Sequence, residues 1–346
     1  MTLAANARVL LVRLSAIGDC LLTLPMACAI KAQHPHSHIT WVVERAAASL
    51  LEGHAAIDRL IVLPKRWYKS PVEVWKLRQT LRESSFDVAF DPQSLTKSAA
   101  IAWLSGTRRR YGLARPYGRE LALWLTPNLI EPTLEHVVER QLEMLHAVGI
   151  RWPQVKFDLP INEAARASVA NWLDASPCSN GFVCINPGAT WRSKLWEMDR
   201  FGRTAAQLGA RHGVPSLVVW GSPEEREWAE QIARCSEGHA TIAPRTTLVE
   251  LAAVMRRAAL YLGSDTGPMH LAAAVDTPCV ALYGATRPEN SGPYGSQHIA
   301  LQSYYQVGTS RERRAADNDA MRAITTEMVV EACQRVLTRA VRSSAA

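Results

Sequence analysis

A strand, a polar turn and a helix follow one another without interruption at residues 258–275, and that succession limits the fold more than any other stretch. Ala258-Ala259-Leu260-Tyr261-Leu262 is short and apolar enough for a buried strand. Gly263-Ser264-Asp265-Thr266-Gly267-Pro268-Met269-His270-Leu271 is a tight polar turn, and residues 271–275 have the small apolar character of a helix packed on a sheet. Asp276-Thr277-Pro278 ends the helix, and residues 279–284 read as the next strand. Such a unit sets its turn at the carboxyl edge of a parallel sheet. Asp265 or Thr266 can cap the helix, and Pro268 suits its first turn. A helix start there leaves backbone N–H groups free and gathers positive partial charge, a combination that holds phosphate. An ordinary capped turn would carry the same residues, so the pattern alone leaves both readings open.

The same grammar runs through the rest of the 346 residues. Residues 8–13 form a compact apolar strand, Leu14-Ser15-Ala16-Ile17-Gly18-Asp19 a loop, and residues 20–33 carry helical periodicity. Strands are expected at 39–43, 57–63 and 86–90, with helices at 46–51 and 72–82 between them. Pro153 and Pro160 bracket a stretch without helical pattern, read as a linker. Beyond it the alternation restarts with a strand at 182–186. The expected architecture is α/β: two doubly wound, Rossmann-like parallel-sheet domains, 1–160 and 161–324, facing a central cleft. Residues 325–346 form an amphipathic terminal helix with Met328, Val329, Ala332, Cys333 and Val336 on one side. Nothing local is evident for that face to pack on, so the helix is expected to cross back to the first domain.

Charge is unevenly placed. Residues 1–160 hold 20 Lys and Arg against 14 Asp and Glu, whereas residues 161–346 hold 19 against 18. The pull on an anionic partner therefore lies in the first half. Its basic runs (Lys65, Arg66 and Lys69; Arg108 to Arg110; Arg115 and Arg119) are expected at loops on one edge of the sheet. No nucleic-acid-binding signature accompanies them, and nucleic acid is not an expected partner. The first strand is not followed by GxGxxG, and GxxxxGK[ST] is missing, which argues against a dinucleotide oxidoreductase and a P-loop NTPase. Seven scattered cysteines show no metal spacing, and no apolar run reaches membrane-spanning length; a cytoplasmic protein with structural thiols is expected. Asp317-Asn318-Asp319, a spacing some metal-dependent sugar transferases use, lies in a charged stretch with no strand before it and is read as solvated loop. No metal and no cofactor are expected. Asp19 falls just beyond the first strand, where such folds place ligands, although without further context the residues favour a role in capping the next helix.

Several stretches together resemble the lipopolysaccharide heptosyltransferases of glycosyltransferase family 9. They are Leu14 to Asp19 with Leu22-Thr23-Leu24-Pro25, Asp91-x-Gln93-x-x-x-Lys97-Ser98, His136-x-x-Glu139-Arg140, Asn186-Pro187-Gly188-Ala189-Thr190 with Lys194 and Trp196, and the Ser264 to Leu271 turn. Trp41-Val42-Val43-Glu44 and His54-Ala55-Ala56 are more similar to the type I enzyme than to type II. The resemblance implies a two-domain GT-B fold and inverting, metal-independent transfer of heptose from ADP-heptose to a Kdo-lipid A-type acceptor. It also implies work at the cytoplasmic face of the inner membrane, in peripheral contact with it, on an anionic glycolipid. By the same resemblance Asp19 is the catalytic base and Lys194 the diphosphate-binding lysine. Thr190, Asp265, Thr266, Gly267 and His270 line the donor turn, and Glu225 lies near the adenosine. Lys65, Arg66, Lys69, Arg119 and Arg140 fall where acceptor phosphates are expected. Ala189 departs from the hydroxyl residue common at that place, which removes one phosphate contact.

The chemistry of the residues agrees with this reading. A helix start and an ammonium group stabilise a leaving diphosphate, and a carboxylate on the other domain takes the acceptor's proton. A nucleotide-sugar epimerase of the same architecture and a non-catalytic nucleotide-sugar binder are the alternatives. Asp19 and the first-half arginines count against both, since neither needs an acceptor site.

Overall fold

A computed structural model describes residues 2–344, with side chains to Arg339. The chain divides into two compact units, Met1–Pro160 and Ile161–Ala346.

The first unit is built on six strands: β1 (Arg8–Val12), β2 (His38–Glu44), β3 (Arg59–Leu63), β4 (Val88–Asp91), β5 (Arg110–Leu113) and β6 (Asn128–Ile130). They pair in the order β3-β2-β1-β4-β5-β6, and every ladder is parallel. Val9, Leu10, Leu11 and Val12 are all fully buried. A continuous apolar run of this kind marks a strand covered by helices on both faces. The chain leaves β1 toward β2 on one side and returns to β4 on the other, so the loops after β1 and β4 diverge. That divergence is the switch point where such sheets hold ligands.

Two expectations for this unit change. Residues 20–33 are not one helix: Ile17–Leu21 and Leu24–Gln33 are separate, with Thr23 between them turning its hydroxyl back to the Asp19 carbonyl. Pro25 then sits at the second position of a helix, where its missing N–H breaks no hydrogen bond. Arg110 belongs to β5, so Arg108 and Arg109 lie at the amino edge of the sheet, opposite Arg115 and Arg119. The Arg110 guanidinium donates to the carbonyl of Leu125 at 3.1 and 3.2 Å and also to that of Thr107. It ties down a turn and does not present a free charge. Strands β5 and β6 are partly exposed and carry no apolar run, which hid them from periodicity.

The second unit repeats the plan with β7 (Val183–Asn186), β8 (Ser216–Val218), β9 (Ala240–Ile242), β10 (Leu260–Ser264), β11 (Cys279–Tyr283) and β12 (Ile299–Gln302). The order β12-β11-β10-β7-β8-β9, again all parallel, puts the switch point between β7 and β10. The terminal helix Thr326–Ser344 has a local surface to pack on, contrary to the expectation that nothing near it would cover its apolar face. Val329, Val330, Cys333 and Val336 are buried in one core with Phe201, Leu260, Leu262 and Leu282 of the second unit. Its support lies within the unit: the terminal helix packs on the helix Met198–His212 and on the sheet face formed by β10, β11 and β12. Burying each such side chain is worth about 1.5–3 kcal/mol, enough to hold the helix in place.

Candidate active site

At the first switch point the chain turns immediately after β1. Asp19 lies in the first turn of the helix Ile17–Leu21, three residues beyond its capping position at Ala16. One carboxylate oxygen accepts the Ala16 N–H at 3.1 Å, and the other pairs with Arg13 Nη2 at 2.6 Å. Arg13 is buried (9% exposed side chain), whereas Asp19 is half open to solvent (43%). Asp19 is therefore not the cap itself; its carboxylate reaches back to the helix start as the acid of a capping box does. The Arg13 pair went unread in the sequence, where its only signal was an arginine directly following a buried strand.

Arg13 also donates to the carbonyl of Pro92 at 3.1 Å, and Leu14 N–H donates to Gln93 Oε1 at 2.8 Å. Both bonds lock the β1 loop to the β4 loop. Asp91 organises that second loop from a fully buried position, accepting from Gln93 N, Ser94 N and Ser98 Oγ at 3.1, 2.9 and 3.0 Å. Burial pushes the Asp91 carboxyl up to about 7, against the opposing pull of the Ser94 and Ser98 bonds and of Arg13. The folded protein then binds a proton that the unfolded chain has released above its ordinary value of 3.8, so stability should fall as pH rises from about 4 to 7. Asp91→Asn keeps an acceptor for Ser94 and should flatten that slope by up to one proton. Denaturant titrations at several pH values measure it, and identical slopes for the two proteins would show that Asp91 does not titrate there.

The predicted acceptor cations divide into exposed and buried. Lys65, Arg66 and Lys69 are exposed in the turn after β3, held by the buried Trp67. Lys97 lies 4.4 Å over the Tyr68 ring. Arg119 is exposed after β5, its N–H donating to Ser94 carbonyl at 3.1 Å. All of these loops leave the carboxyl edge of the first sheet. Arg140 differs: it is buried on the helix Val137–Glu143, stacked 3.9 Å over Tyr117, and burial lowers its pKa.

At the second switch point the loops after β7 and β10 meet. Lys194 Nζ contacts Asp265 Oδ2 at 2.6 Å and the Asp265 carbonyl at 3.2 Å, with both side chains nearly sealed from water. Asp265 also faces His270 Nε2 at 3.5 Å and accepts from Thr286 Oγ1 at 2.7 Å. Burial alone would raise the Asp265 pKa; His270 and the Lys194 charge outweigh it and hold the carboxyl well below its usual range. Thr266, not Asp265, occupies the capping position of the helix Gly267–Ala274, and its hydroxyl turns back to the Ser264 carbonyl. No side chain caps that helix, and Pro268 lies in its first turn.

Glu225 approaches from the first turn of the helix Pro223–Arg234 that follows β8. A Cβ at Gly188 would stand 2.2 Å from Glu225 Oε1, so a larger residue there would push the carboxylate out of this position. Its other oxygen accepts the Gly221 N–H at 2.6 Å. Thr190 is exposed at the head of the Lys194 turn. Thr286 and Trp191 are the site neighbours that sequence reading missed; the Trp191 ring lies 4.5 Å beneath Lys194 Nζ. In the Asp317-Asn318-Asp319 triplet both aspartates are exposed, as expected of a solvated segment, but Asn318 is tied down. Asn318 donates to the Leu195 carbonyl at 2.9 Å, pinning the segment against the Lys194 turn. Among the described residues, no group of three or more His, Cys, Asp or Glu side chains is placed to hold a metal.

A family model, glycosyltransferase family 9 (heptosyltransferase), matches residues 74–319. The chain belongs to that family. Lipopolysaccharide heptosyltransferase 1 of Pseudomonas aeruginosa is 32% identical over 306 residues, 86% of this chain and 84% of the relative. Its Escherichia coli counterpart is 30% identical over 309 residues, 86% and 93% of the two chains. The solved E. coli heptosyltransferase WaaC with ADP superposes with a TM-score of 0.76 at 26% identity, covering 95% of this chain and 99% of that one. The family 9 fold here is of the GT-B type, and the similarity is to heptosyltransferase I. Among the described residues of this glycosyltransferase, no helix is long and apolar enough to cross a membrane.

Proposed function

We propose that this glycosyltransferase moves heptose from ADP-heptose to a Kdo-lipid A-type acceptor in the lipopolysaccharide inner core, with inversion and without a metal. The observation that carries the proposal is the paired chemistry of two equivalent switch points. One offers a half-open carboxylate on a sheet edge that also carries exposed basic loops; the other offers a lysine and an uncapped helix start.

Asp19 takes the proton of the acceptor hydroxyl, with Arg13 and the Ala16 N–H fixing the carboxylate's direction. The hydroxyl attacks the anomeric carbon from the face opposite the nucleotide, so the configuration inverts. The N–H groups at the helix start and the Lys194 ammonium receive charge as the diphosphate leaves. Thr190, Thr266, Gly267 and His270 line the donor turn, Asp265 orients Lys194, and Glu225 serves the adenosine end. Lys65, Arg66, Lys69 and Arg119 meet the acceptor's phosphates, while Arg140 supports the Tyr117 loop from beneath. Tyr68, Val72 and Trp75 are exposed beside the Lys65 turn. Aromatic and basic residues together suit an anionic lipid interface, which supports peripheral contact with the cytoplasmic face of the inner membrane.

Arg119→Glu is the test of the acceptor surface. It should raise the acceptor KM about tenfold or more, the equivalent of a charge-assisted contact of about 1.5–3 kcal/mol, and leave donor affinity unchanged. Unchanged acceptor KM would remove Arg119 from the acceptor site.

A further inference from the structure

Lys194 is a buried cation at the second switch point, and its charge is already matched by Asp265 at 2.6 Å. A nucleoside diphosphate brings about two negative charges and gains another on leaving, so a paired lysine leaves most of that charge uncompensated. The charged segment after β12 supplies what is missing. The helix Ser310–Ala315 packs on the Lys194 turn, and Arg314 lies 4.7 Å over the same Trp191 ring that carries Lys194. Arg314 pairs with no acidic side chain among the described residues. Together with Arg311 it lines an open cavity of about 480 Å³.

Arg313 does different work. Its guanidinium donates to the carbonyls of Ala285 and Gly308 and to Ser310 Oγ, which anchors the helix. Arg311 and Arg314 are left facing outward on a fixed support.

We propose that Arg314, assisted by Arg311 and seated on Trp191, is a second anion subsite that binds the terminal phosphate of the donor's diphosphate. The proposal rests on the donor-site reading above and deepens it. Strand order gives the polarity. Glu225 follows β8 and Arg314 follows β12, on opposite sides of the β7/β10 switch point. A donor whose nucleoside lies toward Glu225 therefore extends its terminal phosphate toward Arg314. Both cations lie within cation–π distance of the one Trp191 ring, an attraction that leaves their N–H groups free to bond a phosphate.

Calorimetry with ADP and AMP on the full chain tests this. Arg314→Gln should weaken ADP about five- to tenfold, as expected for losing one charge-assisted phosphate contact at an open site, and leave AMP unchanged. Trp191→Leu should act in the same direction, because it removes the support. Unchanged ADP affinity in Arg314→Gln would overturn the proposal, and equal weakening of ADP and AMP would overturn the assignment to the terminal phosphate. Wild-type protein that binds no ADP would overturn the donor-site reading itself, and the subsite with it.

Discussion

Asp19→Asn is expected to yield a folded protein whose kcat has dropped about 10²–10⁴-fold, the usual cost of losing a general base, with donor affinity unchanged. The structure gives a reason to look at stability as well. Asparagine has one acceptor oxygen where the carboxylate uses two, for Arg13 and for the Ala16 N–H. One of those bonds is lost, at a cost of about 1 kcal/mol, kept small because Asp19 is half exposed and its pair with Arg13 is screened. A purely structural Asp19 predicts the same small shift in Tm with kcat intact. Single-turnover rates at saturating donor separate the two, since they report the chemical step on protein already folded and loaded.

Lys194→Ala should do more damage than loss of a phosphate contact. It leaves Asp265 buried with His270 and Thr286 but without its cation. Breaking a buried pair from one side costs about 3–5 kcal/mol of stability, beyond the roughly 1.5–3 kcal/mol of lost donor contact. The double variant Lys194→Ala/Asp265→Asn isolates the parts: stability should return toward wild type while ADP binding stays weak. If stability returns and ADP binding returns with it, Lys194 does not hold the diphosphate. The acid limb gives a second reading. With its folded pKa depressed, Asp265 contributes stability that is present above the ordinary carboxylate value of 3.8 and lost as pH falls below about 4. That acid-side loss should shrink in Lys194→Ala, because one cause of the depression is gone.

Much of this arrangement was legible in residue order. The buried strands β1, β7 and β10 announce themselves by unbroken apolar runs, and the polar turns after them fall at the switch points because a parallel sheet leaves no other place. The last two strands of the first sheet were not legible: Arg110-Tyr111-Gly112-Leu113 is half exposed and looks like a charge run. Misplacing that strand put Arg108 and Arg109 on the wrong edge. Pairings across the sheet were equally hidden. Lys194 and Asp265 were each read from motifs, but their contact spans 71 residues and depends on β7 lying beside β10. The terminal helix shows the same limit from the other direction. Its apolar face was plain in the sequence, while its partner surface is assembled from the helix Met198–His212 and strands β10 to β12.

The central claim is heptosyl transfer to an anionic glycolipid, and a single assay meets it directly. Purified protein is offered ADP-heptose, GDP-mannose or UDP-GlcNAc with a Kdo-bearing lipid A acceptor, and the glycolipid product is followed by mass spectrometry. The account predicts addition of one heptose from ADP-heptose, dependent on the acceptor and slowed about 10²–10⁴-fold in Asp19→Asn. Turnover of the donor without acceptor, or transfer from another nucleotide sugar in preference to ADP-heptose, would contradict it.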